Sequence, residues 1–92
     1  MSGVLWSVRS RQDLRSAFDY YRRIDDELAL PIVEAVEAKA AWLAEFPGTG
    51  SPTALGLRKS LVAETPYLIA YRETSRGIEV SRVHHTAQDW RL

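Results

Sequence analysis

The hydrophobic period of this chain changes once, and the change orders its elements. From Leu14 to Phe46 apolar residues recur at helical spacing. After Pro47-Gly48-Thr49-Gly50-Ser51-Pro52, which is plain punctuation, they recur every second residue. The helical part begins with Leu14, Ala17, Phe18, Tyr21, Ile24 and Leu28 on one continuous stripe, with Arg11, Arg15, Asp19, Arg22 and Arg23 largely off it. Ser10 reads as the N-cap, with Asp13 three residues on as in a capping box, so the first helix is predicted over 10–24. Asp25-Asp26-Glu27 break and restart the helix, because aspartate caps well and acids suit a helix N-terminus.

Proline is tolerated only near a helix start, so Pro31 places the second start between Asp26 and Pro31. Its stripe is Ile32, Val36, Ala40 and Leu43, widened by Val33, Trp42 and Phe46. The link between the helices is very short, which predicts an antiparallel hairpin. Extended runs are predicted at 4–9, 57–62, 67–72 and 78–83, with Thr74-Ser75-Arg76-Gly77 as a hairpin turn. Alternation in the last run fails at Arg82-Val83, where a bulge is allowed. The order β-α-α-β-β-β predicts an α+β fold: an N-terminal strand, a helical hairpin, then a three-stranded antiparallel meander. The hairpin covers one face of the sheet and leaves the other partly open to host a site.

Ninety-two residues are expected to make a single domain over 1–92. Apolar residues at 46% and charged residues at 26% exclude global disorder and low complexity. No apolar run reaches the ~18 residues of a membrane span, and the N-terminal apolar stretch is too short for a secretory signal. Cysteine is absent, which excludes disulfides and thiolate chemistry and fits a cytoplasmic protein. The two histidines, His84 and His85, are adjacent, and on a strand neighbours point to opposite faces, so no paired metal site is expected. No cofactor is expected either: Gly48 and Gly50 follow a helix, not the strand that a phosphate loop requires.

Net charge is zero but polarised. Residues 1–23 carry five arginines against two acids, residues 24–47 six acids against Lys39, and residues 48–92 six bases against four acids. That is not the field of a uniformly basic nucleic-acid binder. A domain this small buries only roughly 60–65% of its unfolded surface, so a partner covering apolar surface would stabilise it.

Arg58, Lys59, Arg72, Arg82, His84, His85 and Arg91 all come from the C-terminal half. Metal-free cations with histidine suit cleavage of RNA through its own 2′-hydroxyl, which needs a base, an acid and charge around a pentacoordinate phosphate. The same residues also read as solvated charges that discourage edge-to-edge pairing of the sheet. Phe18, Tyr21 and Tyr71 lie on apolar stripes and read as core. Trp42 at the edge of its stripe reads either as a rim residue or as a dock for an amphipathic partner helix.

Taken in order, several segments resemble the ParE/RelE superfamily of toxins from bacterial type II toxin-antitoxin modules. They are Asp13-Leu14 with Tyr20-Tyr21, Leu43-Ala44-Glu45-Phe46-Pro47-Gly48, Leu57-Arg58, Pro66-Tyr67-Leu68-Ile69-Ala70-Tyr71-Arg72, and Ile78-x-Val80-x-Arg82-Val83-x-His85 with Asp89-Trp90. The resemblance implies a cytoplasmic toxin blocked by a cognate antitoxin that folds onto it. ParE-like members inhibit DNA gyrase, and RelE-like members cut mRNA on the ribosome. On the RelE side, Arg58 and Arg82 would hold the phosphate and His85 or His84 would be the general acid, with the base unassigned; Lys59 is a further basic match. Leu68 stands where the ribonucleases often carry arginine, and the chain holds only Lys39 and Lys59 as lysines, too few to favour ribosomal RNA. The ending Arg82-Val83-His84-His85 with Asp89-Trp90 also resembles the ParE-like side more. Gyrase inhibition is therefore the expected function. Ribosome-dependent cleavage and an inactive antitoxin-binding module are the alternatives. Trp42, Arg72 and Trp90 are the candidate partner-binding residues.

Overall fold

A computed structural model describes residues 3–87. The order is β1 (Gly3–Trp6), α1 (Val8–Ile24), α2 (Asp26–Glu45), a 3-10 turn (Pro47–Thr49), β2 (Ser51–Pro52), β3 (Arg58–Leu61), β4 (Tyr67–Thr74) and β5 (Gly77–His85). The predicted α+β layout holds, with two additions at the sheet edges. The sheet has five strands in the order β1-β5-β4-β3-β2. β3, β4 and β5 form the expected antiparallel meander, and β1 joins β5 in parallel, Val4 opposite Ile78 and Trp6 opposite Val80. β2, read from sequence as punctuation, pairs Ser51 with Lys59 and Pro52 with Arg58. Proline lacks an amide donor and so is confined to such an edge.

The first helix starts earlier than the sequence suggested. Ser7 is the N-cap: its Oγ accepts from the Ser10 amide at 3.0 Å and donates to the Ser81 carbonyl at 2.8 Å. The Ser7 amide also donates to the Val80 carbonyl, so the chain turns into the helix directly where β1 leaves β5. Ser10 is then a buried residue of the first turn whose hydroxyl bonds back to the Ser7 carbonyl, not a cap. Asp25 serves both helices, its amide closing α1 on the Tyr21 carbonyl and its Oδ1 accepting from the Glu27 amide to open α2. Asp26 and Glu27 fill that first turn, where negative charge suits the helix dipole.

The bulge falls one residue before its predicted place. Ala70 faces Arg82 but Tyr71 faces Val80, which leaves Ser81 unmatched. This spacing puts both Val80 and Val83 on the helix-facing side, with Tyr67, Ile69, Tyr71 and Ile78. Ala17 of α1 and Val36, Ala40, Leu43 and Ala44 of α2 pack onto that side. Tyr71 is fully buried, donates its hydroxyl proton to the Pro47 carbonyl at 2.7 Å and accepts from the Gly50 amide at 3.0 Å. A Cβ at position 50 would collide with that hydroxyl, so glycine is required there. Gly77 adopts φ +137° at the β4–β5 turn, where a Cβ would also strike the Gly3 backbone.

The opposite face is less open than the sequence suggested. Leu61 and Arg72 are exposed, but Leu68, Ala70 and His84 are buried. None of the described helices is long and apolar enough to cross a membrane.

Candidate partner-binding site

The basic residues singled out in the sequence divide between the two faces of the sheet. In register, Arg58 lies opposite Tyr71 and His85 opposite Tyr67, on the helix-facing side. Lys59 and Arg82 lie opposite Ala70, and His84 opposite Leu68, on the other side. The two histidines thus point to opposite faces, as strand geometry demands.

Each candidate also has its own surroundings. Arg58 Nη1 donates to the Gly50 carbonyl at 2.8 Å and ties β3 to the loop after α2. Arg72 pairs with Glu79 across the strands, Nε to Oε1 at 2.6 Å. Arg82 is held by Asp13 of α1 through two parallel bonds, Nε to Oδ2 at 2.8 Å and Nη2 to Oδ1 at 3.1 Å. Asp13 Oδ2 also accepts from the Val83 amide at 2.9 Å. One carboxylate therefore satisfies the edge of β5 that β1 no longer covers and fixes the neighbouring guanidinium. The hydrogen bond to Asp13 raises Arg82 above its ordinary pKa. Asp13 is not the capping-box residue that its spacing suggested, because the cap sits at Ser7.

His84 is buried, and its Nε2 has no hydrogen-bond partner among the described residues. Burial, reinforced by the Arg82 charge, lowers its pKa, so the neutral imidazole is favoured. His85 is half-buried, its ring edge-on to Tyr67 at 5.3 Å, with Nδ1 accepting from the Ala87 amide at 3.0 Å. Burial, with smaller contributions from Tyr21 and Tyr20, pushes the Tyr67 hydroxyl up to about 12, so it donates but does not act as a base near neutrality.

Trp42 is 44% exposed near the end of α2. Its ring lies 5.1 Å from that of Phe46 and carries Lys39 Nζ 4.4 Å above it. This is an exposed aromatic pair with a cation, the kind of anchor that protein partners use. Trp90, with Asp89 and Arg91, lies outside the described residues.

Among the described residues, concavities flank the sheet on both sides. One, of 460 Å³, lies between the loop after α2 and β3–β4, against Lys59, Leu61 and Leu68. The other, of 440 Å³, lies between α1 and the end of β5, against Asp13, Tyr20, Arg23, Tyr67 and His85. Sequence reasoning missed this second groove. Its signal was the spacing of Asp13, Ser16, Tyr20 and Arg23, which puts them on one face of α1 beside the apolar stripe. Among the described residues, no cluster of potential ligands suits a metal ion.

Comparisons with known proteins fit this architecture. The family model described as "ParE toxin of type II toxin-antitoxin system, parDE" matches residues 4–90. A curated protein of Sinorhizobium fredii named "Putative toxin Y4kP" is 32% identical over 88 residues, covering 95% of this chain and 91% of its own. A solved structure described as the chromosomal ParDE TA system from P. aeruginosa matches with a TM-score of 0.81. It is 22% identical, covers 92% of this chain and 96% of that chain, and is similar in fold.

Proposed function

Because this chain belongs to the ParE toxin family of type II toxin-antitoxin systems, we propose that it acts in the cytoplasm as a growth-arresting toxin that binds and poisons DNA gyrase. A cognate antitoxin neutralises it by covering its surface. The chain works by protein-protein contact, as a single domain without a cofactor, through Trp42, Arg72 and Trp90.

The observation that carries this reading is the Asp13–Arg82 pair. Arg82, the strongest candidate for holding an RNA phosphate, is already bound at two of its nitrogens by a carboxylate. Its neighbour His84 is buried, and Arg58 and His85 lie on the other side of the sheet. In-line cleavage needs an acid, a base and cations around one phosphate, and the division of these side chains between two faces supports the non-catalytic reading.

The test is purified toxin in gyrase supercoiling and cleavage assays. Supercoiling should stop, and cleaved DNA should accumulate, at toxin concentrations near those of gyrase. Unchanged supercoiling at stoichiometric excess overturns the gyrase target. New cuts in translated mRNA, lost when both histidines are replaced, would move the assignment to ribosome-dependent cleavage. Expression without antitoxin that leaves growth unaffected would leave only an antitoxin-binding module.

A further inference from the structure

We infer that the outward face of the helical hairpin is a self-association surface. Two copies of this chain pack hairpin on hairpin about a two-fold axis parallel to the helices, with α1 of one copy on α2 of the other. The inference goes beyond the toxin reading above and does not depend on it.

Charge is the first argument. Ala17 of α1 and Val36, Ala40, Leu43 and Ala44 of α2 face the sheet. At helical spacing, the opposite face of α1 carries Arg15, Asp19, Arg22 and Arg23, and that of α2 carries Glu27, Pro31, Glu34, Ala38 and Glu45, all exposed. Over its whole length α1 holds five arginines against Asp13 and Asp19, and α2 holds five acids against Lys39. Asp13 is engaged by Arg82 on the sheet side. Among the described residues, Glu27, Glu34, Glu37 and Glu45 make no ion pair. One hairpin thus presents a basic strip and an acidic strip side by side. A second copy carries the matching pair of strips by construction.

Symmetry then fixes the arrangement. A two-fold axis across the helices would lay α1 on α1 and α2 on α2, setting like charges against each other. An axis parallel to the helices lays α1 on α2 twice over, as an isologous interface requires. Asp25 alone separates the helices, so Arg15 and Glu34 stand at nearly the same distance from the hairpin tip and meet across the interface, as do Arg23 and Glu27. Each helix then neighbours only antiparallel helices, as in an up-and-down four-helix bundle.

Exposed apolar side chains supply the rest. Ile24 is 60% exposed, Leu28 44% and Leu30 56%, and all three lie at the tip, which this axis brings against the tip of the other copy. The helices have 17 and 20 residues. They are about 25–30 Å long and lie about 8–10 Å apart, which gives a footprint of about 500 Å² per copy. The two copies together bury about 1,000 Å², the lower bound for a specific interface, so the dimer is expected to be weak and reversible.

The experiment is sedimentation equilibrium on purified full-length toxin from about 1 to 200 μM, a range that spans micromolar dissociation constants. The variants are Arg15→Glu, Glu34→Arg, the two combined and, as a charge-reversal control on the remote β4–β5 turn, Arg76→Glu, each with its melting temperature recorded. Wild type and Arg76→Glu should show the same monomer–dimer equilibrium. Arg15→Glu and Glu34→Arg should each weaken it about tenfold or more. The combined variant should return to within about threefold of wild type, because the two-fold axis exchanges both members of each pair. Raising the salt concentration should weaken the wild-type dimer. A wild type that stays monomeric throughout, a dimer that both single reversals leave intact, or a combined variant as weak as the single ones overturns the inference. If a charge variant melts well below wild type, the salt series decides, and a dimer indifferent to salt overturns it equally.

Discussion

Asp13 of α1 and Arg82 of β5, 69 positions apart, meet in a two-bond ion pair whose carboxylate also takes the Val83 amide. The contact sits where β1 stops pairing with β5, so a helix side chain completes the edge that a strand leaves unfinished. It also explains why a basic residue that looks catalytic in sequence has a structural occupation.

Removing the carboxylate should therefore destabilise the fold. The side chains are only 17% and 30% exposed, so Asp13→Ala leaves a guanidinium and an amide poorly solvated. The expected loss is about 2–3 kcal/mol by urea denaturation. Arg82→Ala should cost less than the sum predicts when combined with it, and a double-mutant cycle giving no coupling would show that the pair is not a pair in solution.

The Tyr71 hydroxyl is both donor to Pro47 and acceptor from Gly50. Tyr71→Phe leaves a buried amide without a partner and should cost about 1–3 kcal/mol in the same assay. Amide hydrogen exchange at Gly50 should accelerate in step. Exchange at the wild-type rate would mean that another acceptor serves that amide.

Stability should fall on acidification through His84. Its pKa is lowered from 6.5 in the folded state by burial first and the Arg82 charge second. Between that lowered value and 6.5 the unfolded chain binds more protons than the folded one, so unfolding free energy rises with pH there. The stability is fully present above the unfolded value and is lost as pH drops below about 6.5 toward the folded value. His84→Leu should flatten that part of the profile in urea midpoints taken from pH 7.5 to 5.0, and an unaltered slope would assign it to other groups.

Arg72 and Trp42 offer a cleaner test of partner binding. The Arg72–Glu79 pair is largely solvated at the arginine, so its loss in Arg72→Ala should change stability by less than about 1 kcal/mol. Trp42→Ala removes an exposed anchor and should weaken gyrase binding at least about tenfold with the fold retained. Full supercoiling inhibition by both variants would place the gyrase contact elsewhere.

The amino-acid sequence by itself determined the helical hairpin and the meander. Period, punctuation at 47–52 and Asp25 as a helix break are local signals, and local spacing decides whether a segment coils or extends. It also determined that His84 and His85 face opposite ways, because alternation on a strand needs no partner to be read. Ser7 in place of Ser10 as the cap was not readable, since it depends on where β1 leaves Val80. Only the tertiary structure decided that Asp13 meets Arg82, that Ser81 bulges, and that Arg23, Tyr67 and His85 share a groove. Those facts follow from the register of β5 against β4 and from the crossover that lays α1 along its edge. Side chains far apart in sequence acquire a common neighbourhood only once buried area and backbone hydrogen bonds have chosen that register.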